Sequence, residues 1–201
     1  MTMNNVNGQK ALADYLYCLS VLESDTAQLY HSLSDQTEIP LAKTLLLHVS
    51  LDSTKHSTIL KGITDSLTAS KKNVKDCRKN LGEIWHLVDS LRNEVAGKQS
   101  GSKLGAPQIM EKLTILESSL GEEYHMVIQM KNLEYLSKEI NQLYDVKLDS
   151  IRKIIKGIIR DEDNHRELLV TIKRLLEKTK ARKSDNTPMV RFQSPDAWVQ
   201  S

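Results

Sequence analysis

Apolar residues recur along most of this chain at alternating spacings of three and four, the pattern of helices that pack side by side. Turn formers are few, with 8 Gly and 4 Pro in 201 residues, which argues against a fold of many short strands. The pattern predicts helices over about 9–34, 41–69, 73–96, 108–143 and 146–181. The fold class that follows is all-α.

Prolines and glycines stand where such helices would turn. Pro40 follows a polar stretch, and Pro107 closes the segment 97–107, which is rich in Gly and Ser and is predicted to be a linker. The residues from 182 onward include two prolines and lack helical periodicity. We therefore expect one helical domain over 1–181, followed by a flexible C-terminal tail over 182–201.

In three of the predicted helices, ionisable residues interrupt the apolar stripe near its middle. The interrupting residues are Glu23, Asp52, His56, Glu162 and His165. A carboxylate that faces a helical core costs several kcal/mol unless it is paired, protonated or bound to a cation. Because the interruptions fall at similar depths in their helices, we expect these side chains to converge in the folded protein.

The chemistry of these residues favours a transition metal. Carboxylate oxygens combined with imidazole nitrogens suit iron, manganese or zinc better than calcium. Glu162 and His165 lie three residues apart, so they share a helix face and can bind the same ion. Buried salt bridges and hydrogen bonds among the same side chains are the alternative interpretation.

The predicted helix over 108–143 offers more than one candidate ligand. Glu123 continues its apolar stripe and is the preferred inward carboxylate, while Glu122 with His125 would face the site if the helix were rotated by one residue. The predicted metal ligands are Glu23, Asp52, His56, Glu123, Glu162 and His165.

The second and last predicted helices match each other at an offset of 109 residues. The alignment pairs Asp52 with Asp161 and His56 with His165. This match indicates an internal duplication of a helix pair.

The first helix adds Glu23 and, seven residues later, Tyr30. Together with the duplication, this arrangement resembles the ferritin-like superfamily, especially its rubrerythrin-like branch. In that family a Glu, a Tyr seven residues later and a Glu-x-x-His on the next helix recur. In this chain His56 keeps the histidine of that motif, but Ser53 replaces its glutamate, so the neighbouring Asp52 would have to compensate.

The resemblance implies a ferritin-like four-helix bundle around a non-haem di-metal carboxylate centre of iron, manganese or zinc. The helix over 73–96, whose apolar stripe is uninterrupted, would be an insertion between the two halves. The implied activity is that of an iron oxidase or a peroxide-handling oxidoreductase, assembled as a homo-oligomer and supplied with electrons by a separate donor protein. A ferritin-like scaffold that has lost its metal and acts as a protein-interaction module is the alternative.

Charge and composition bear on partners and location. The chain has 28 Lys and Arg against 26 Asp and Glu, and a net charge of +2 gives no broad field for nucleic acid. No apolar run is long enough to span a membrane, and the opening residues lack the apolar segment of a signal peptide. We expect a cytoplasmic protein without nucleic-acid or membrane partners, in which Cys18 and Cys77 are reduced, packed thiols.

Overall fold

A computed structural model of the chain describes residues 3–69, 73–98, 106–129 and 145–185. These residues form five α-helices and include no strand, so the all-α prediction is confirmed for this part of the chain. The helices are α1 (Met3–Asp35), α2 (Pro40–Leu67), α3 (Val74–Lys98), α4 (Ala106–Gln129) and α5 (Asp145–Asp185). No helix within these ranges is long and apolar enough to cross a membrane.

Two of the helices extend by four residues or more beyond the predicted bounds. The first begins six residues earlier than predicted, at Met3, and the last continues to Asp185, four residues into the segment expected to be a tail. The helix predicted over 108–143 is present up to Gln129, and the rest of that range lies outside the described residues. The rest of the tail prediction, 186–201, also lies outside them.

α1 and α2 pack as an antiparallel pair along a series of hydroxyl groups. Three hydroxyls at seven-residue intervals on α2 donate to backbone carbonyls of α1: Ser50 to Ala27 at 2.8 Å, Ser57 to Ser20 at 2.7 Å and Thr64 to Ala13 at 3.5 Å. The residue numbers of the donors on α2 increase while those of the acceptors on α1 decrease, so the two helices run antiparallel. Because these side chains are small, the two backbones approach closely at the level of the ionisable residues.

α4 and α5 form the second antiparallel pair. Lys173 on α5 lies 2.6 Å from Glu111 on α4, and Arg166 donates to the Ser118 hydroxyl at 3.5 Å. α5 also packs against α2, which brings the two pairs together. Buried apolar side chains from all five helices form one continuous core.

α3 packs against α1 and α4, and the residues that it contributes to the core are all apolar. Its predicted stripe from Cys77 to Val95 is buried, although Val74 at its start is exposed. The helix is interrupted at Gly82, whose φ of 46° lies in the left-handed region that favours glycine. At this point the helix changes direction along α1.

Cys18 on α1 and Cys77 on α3 form a disulfide, with 4.9 Å between their Cα atoms. The prediction of two reduced thiols was therefore wrong. It rested on the absence of a short cysteine motif, whereas the bond depends on the packing of α3 beside α1, which brings together residues separated by 59 positions. Disulfides persist mainly in oxidising compartments. The bond therefore gives no support to the expected cytoplasmic location, which stays a prediction.

Candidate metal centre

Five ionisable side chains are buried together where α1, α2, α4 and α5 meet. They are Glu23, His56, Glu117, Glu162 and His165, and each is at most 1% exposed. Ligand atoms of the first, second and fourth lie within 4.8 Å of one another, and so do those of the last three. The two groups share Glu162, so this cluster could hold two neighbouring metal ions, one in each group.

The first group has ligand atoms that converge without bonding to each other. His56 Nδ1 lies 3.0 Å from Glu162 Oε1 and 3.5 Å from Glu23 Oε1. Neither contact has hydrogen-bond geometry, and His56 Nδ1 and both oxygens of Glu162 have no hydrogen-bond partner. Buried polar atoms without partners are costly, and such atoms around one point fit a cation.

The second group converges on His165 and differs from the first in that His165 and Glu117 form a hydrogen bond. His165 Nδ1 lies 3.0 Å from Glu117 Oε2 and 3.7 Å from Glu162 Oε2. Glu162 therefore directs one oxygen toward His56 and the other toward His165. The two imidazole rings lie with their centroids 5.9 Å apart, one on each side of this carboxylate.

Each cluster histidine contacts an aspartate on the facing helix through its Nε2 atom. His56 Nε2 lies 3.1 Å from Asp161 Oδ2, and His165 Nε2 lies 3.4 Å from Asp52 Oδ2. A carboxylate accepts hydrogen bonds, so each Nε2 donates to its aspartate, and each Nδ1 faces the cluster carboxylates, where an ion would displace its proton. Metal-ligating histidines in proteins almost always make such an outer hydrogen bond.

Lys55 joins the two aspartates at the edge of the cluster. Its ammonium lies 2.6 Å from Asp52 Oδ1 and 3.0 Å from Asp161 Oδ2. Burial would raise the pKa of both aspartates, but hydrogen bonds from Lys55 and the histidines outweigh it, and both pKa values lie below the ordinary one. Asp52, predicted as a ligand, is thus placed where it orients His165.

Two buried tyrosines donate hydrogen bonds to Glu117 and Glu23, the outer carboxylates of the cluster. Tyr30 donates a hydrogen bond to Glu117, and Tyr124 donates one to Glu23. Burial raises the pKa of both phenols, and the neighbouring carboxylates raise it further. Both tyrosines therefore remain protonated donors at neutral pH.

The protein without a metal balances the cluster with protons. Burial alone would lower the pKa of His56, but the carboxylates of Glu162 and Glu23 outweigh it and raise that pKa to about 10. The pKa of His165 is raised to about 11 against the same effect of burial, by Glu117 and Glu162. Burial also raises the pKa of Glu117, with repulsion from Glu162 adding to it. A metal ion would displace protons from these groups.

The site repeats across the two helix pairs. α1 and α4 match at an offset of 94 residues, which pairs Glu23 with Glu117 and Tyr30 with Tyr124. The segments LESDTAQLYHSL and LESSLGEEYHMV are identical at five of twelve positions. α2 and α5 keep the offset of 109 noted in the sequence, and the tyrosine–glutamate and histidine–aspartate contacts of one half recur in the other with the partners exchanged.

The structure does not bring Glu123 to the cluster. Its carboxylate accepts a hydrogen bond from Tyr15, while Glu122 and His125 are exposed. Glu117, which the sequence analysis missed, supplies the α4 carboxylate instead. The repeat at offset 94 would have identified it, because Glu117 precedes Tyr124 by the same seven residues that separate Glu23 from Tyr30.

Comparisons of the chain with known protein families, with curated proteins and with solved structures found no match.

Proposed function

We propose that this chain is a ferritin-like protein of the rubrerythrin-like type, which binds two metal ions between α1, α2, α4 and α5. In this proposal α3 is the helix inserted between the two halves. The observation that carries it is Glu162, whose two buried oxygens lack hydrogen-bond partners and lie one beside each histidine. A carboxylate in this position is suited to bridge two ions.

The ligands divide evenly between the two ions. Glu23 and His56 would hold the first ion, Glu117 and His165 the second, and Glu162 both. Three carboxylates with two imidazoles suit iron, manganese or zinc. Iron bound here would supply redox chemistry toward oxygen or peroxide, the activity that the resemblance implies.

The residues around the ligands have separate tasks in this function. Tyr30 and Tyr124 fix the outer carboxylates, while Asp52 and Asp161 fix the imidazole tautomers. The five ligand side chains are buried away from bulk water, which strengthens the electrostatic interactions among them. Together these contacts keep the five ligand side chains in place before a metal arrives.

Electron supply belongs to the same proposal. The chain has 2 Cys, and both are in the disulfide, so it has no thiolates for an iron–sulfur or four-cysteine iron site. Oxidase or peroxide chemistry at the cluster would draw its electrons from a separate donor protein. Assembly into a homo-oligomer, as in the ferritin-like family, is part of this proposal.

A metal-free scaffold is the second candidate function, and two observations favour it. At the position that matches Glu162, the other half of the repeat has Ser53, so one carboxylate of a symmetric site is missing. The cluster also forms internal ion pairs, such as His165 with Glu117 at 3.0 Å. In this case the helices would serve as a protein-interaction module.

Metal stoichiometry separates the two candidates. Protein purified without chelator is reloaded with Fe(II) under anaerobic conditions, desalted and examined by elemental analysis. We expect two ions per chain in the wild type and a loss of both in Glu162→Gln, which keeps the size of the side chain. Glu122→Gln, an exposed change on α4, is the matched control and should retain both ions. Retention of less than one ion by the wild type would support the scaffold.

A further inference from the structure

The cluster is closed on the side where α1 and α4 face α3. Arg92 on α3 pairs with Asp25 on α1 at 2.8 Å, and Glu94 on α3 pairs with Lys112 on α4. Asp25 and Lys112 lie within five positions of the cluster glutamates of their own helices, so α3 crosses this side at the level of the cluster. The residues that α3 contributes to the core are all apolar, so they offer no ligand to an ion that approaches from this side.

The side of the cluster between α2 and α5 is more open. The side chains of His56 and His165 are 0% exposed, but the aspartates that contact their Nε2 atoms reach solvent, with Asp52 19% exposed and Asp161 37% exposed. Lys55, which contacts both aspartates, is 47% exposed. Exposure therefore rises in two steps from the ligands to the surface. An ion that approaches from this side meets the lysine and the two aspartates before it meets a ligand.

Lys55 connects the two halves of the repeat at this edge. Its ammonium lies 2.6 Å from Asp52 Oδ1 and 3.0 Å from Asp161 Oδ2, so a positive charge stands between the two carboxylates that a cation would contact first. The offset of 109 pairs Lys55 with Asn164, an exposed neutral residue, so the repeat supplies this lysine in one half only. His48 also lies at the edge, with its Nε2 atom 3.5 Å from Asp52 Oδ2. Ion pairs between partly exposed side chains are weak, which allows the long lysine side chain to leave the aspartates.

We infer that Lys55 is a gate for metal uptake, and that ions enter between α2 and α5, past Asp52 and Asp161, when the ammonium swings into solvent. The inference rests on the proposed metal centre and specifies how ions reach it. With the ammonium in place, its charge repels a divalent ion and occupies the carboxylate oxygens that would attract one. Once the ammonium has left, the two aspartates supply negative charge at the entrance, and such a field speeds the approach of a cation. Lys55 thus sets the rate of metal uptake rather than the number of ions held.

Uptake kinetics test the gate. Metal-free protein is mixed with Co(II) at low ionic strength, and the visible absorption of the bound ion is followed in a stopped-flow instrument. Lys55→Gln removes the charge and should take up Co(II) about tenfold faster than the wild type. Lys55→Arg keeps the charge and the reach of the side chain, so it should stay near the wild-type rate. Elemental analysis after equilibration should find the wild-type number of ions in both variants.

Arg92→Gln is the matched control, because it removes a positive charge from a carboxylate pair on the closed side of the cluster. Its uptake rate should equal that of the wild type. The excess rate of Lys55→Gln should shrink as the salt concentration rises, since salt screens the charge that the variant removes. An unchanged rate in Lys55→Gln, or an equal increase in Arg92→Gln, would overturn the gate and leave the metal centre in place. Wild-type protein that takes up no Co(II) would overturn the metal centre, and the gate with it.

Discussion

Tyr30 on α1 donates a hydrogen bond to Glu117 on α4, the corresponding helix of the other half of the repeat. Its counterpart Tyr124 donates in return to Glu23 on α1. Each half of the chain thus positions a carboxylate that belongs to the other half. The cluster is therefore a joint product of the two helix pairs, and its stability should depend on both crossed bonds.

Tyr30→Phe removes one crossed bond and keeps the aromatic ring that packs in the core. The change leaves a buried oxygen of Glu117 without its donor, which costs about 1–3 kcal/mol. We expect the metal-free variant to lose that much free energy of unfolding in urea. Tyr124→Phe should lose a similar amount, because it makes the equivalent bond in the other half.

Tyr15→Phe is the control for these variants. Tyr15 is half-buried and donates to Glu123, which lies outside the cluster. Its loss should cost less than about 1 kcal/mol, since water can reach the carboxylate that is left. A loss in Tyr15→Phe equal to that in Tyr30→Phe would contradict a special role for the crossed bonds.

The metal-free protein should become less stable as the pH rises. The folded-state pKa values of His56 and His165, about 10 and about 11, lie above the ordinary value of 6.5. Their stabilising contribution is complete below pH 6.5 and is lost as the pH rises through the folded-state values. The raised pKa of Glu117 acts in the same direction. Urea unfolding between about pH 7 and pH 9 should show a falling free energy, by up to about 1.4 kcal/mol per pH unit for each proton that only the native state keeps.

Metal binding should show the opposite trend over the same interval. Because an ion competes with the protons on these groups, its affinity should rise with pH. The difference in melting temperature between loaded and metal-free protein should therefore increase from pH 7 to pH 9. A metal-free protein whose stability is flat or rises over this range would show that the imidazoles are not held protonated by the carboxylates.

Asp161→Ala tests the outer hydrogen bonds. Without Asp161, the Nε2 hydrogen of His56 loses its acceptor, and loss of such a contact weakens metal affinity roughly 10–100-fold. Chelator competition with Zn(II) should detect this change. Asp163→Ala is the control, because Asp163 is exposed and pairs with Arg166 on its own helix. Equal affinities in the two variants would contradict the assignment.

Asp52→Ala should behave like Asp161→Ala, because it removes the equivalent bond to His165. The variant also separates the two roles considered for Asp52. An orienting residue predicts weaker binding with both ions retained at saturating metal. Loss of an ion even at saturation would restore Asp52 as a direct ligand.

Reduction of the Cys18–Cys77 bond should destabilise the fold and leave the cluster intact. Closing a loop between residues 59 positions apart stabilises a protein by about 4 kcal/mol on chain-entropy grounds. Cys77→Ser should therefore lower the melting temperature strongly, while the metal content of the folded protein stays at the wild-type value. An unchanged melting temperature would mean that the wild type does not form the bond in solution.

The sequence predicted the elements that depend on local pattern. Periodic apolar residues identified all five helices, and the interrupted stripes identified Glu23, His56, Glu162 and His165, which the structure brings together. A buried ionisable residue stands out in a stripe because its neighbours at three and four positions are aliphatic. Their role as metal ligands stays a prediction.

The parts that were missed depend on packing between distant segments. Glu117 lies beside Leu116 at the edge of a broad buried stripe, so periodicity alone favoured Glu123, which bonds to Tyr15 instead. The disulfide depends on the direction in which α3 lies along α1, and no local pattern determines that direction. An internal repeat can identify such residues because it pairs positions in distant segments. The offset of 94 residues, for example, pairs Glu117 with Glu23.

In the proposed function, Glu162 bridges two metal ions between His56 and His165. The most direct measurement is an anomalous difference map from crystals loaded with Fe(II) or Mn(II), recorded at the absorption edge of the metal. We expect two peaks, one on either side of Glu162, the first bound by His56 Nδ1 and the second by His165 Nδ1. Crystals soaked at saturating metal that show no peak in the cluster, with Glu162 still paired to the histidines, would contradict this proposal.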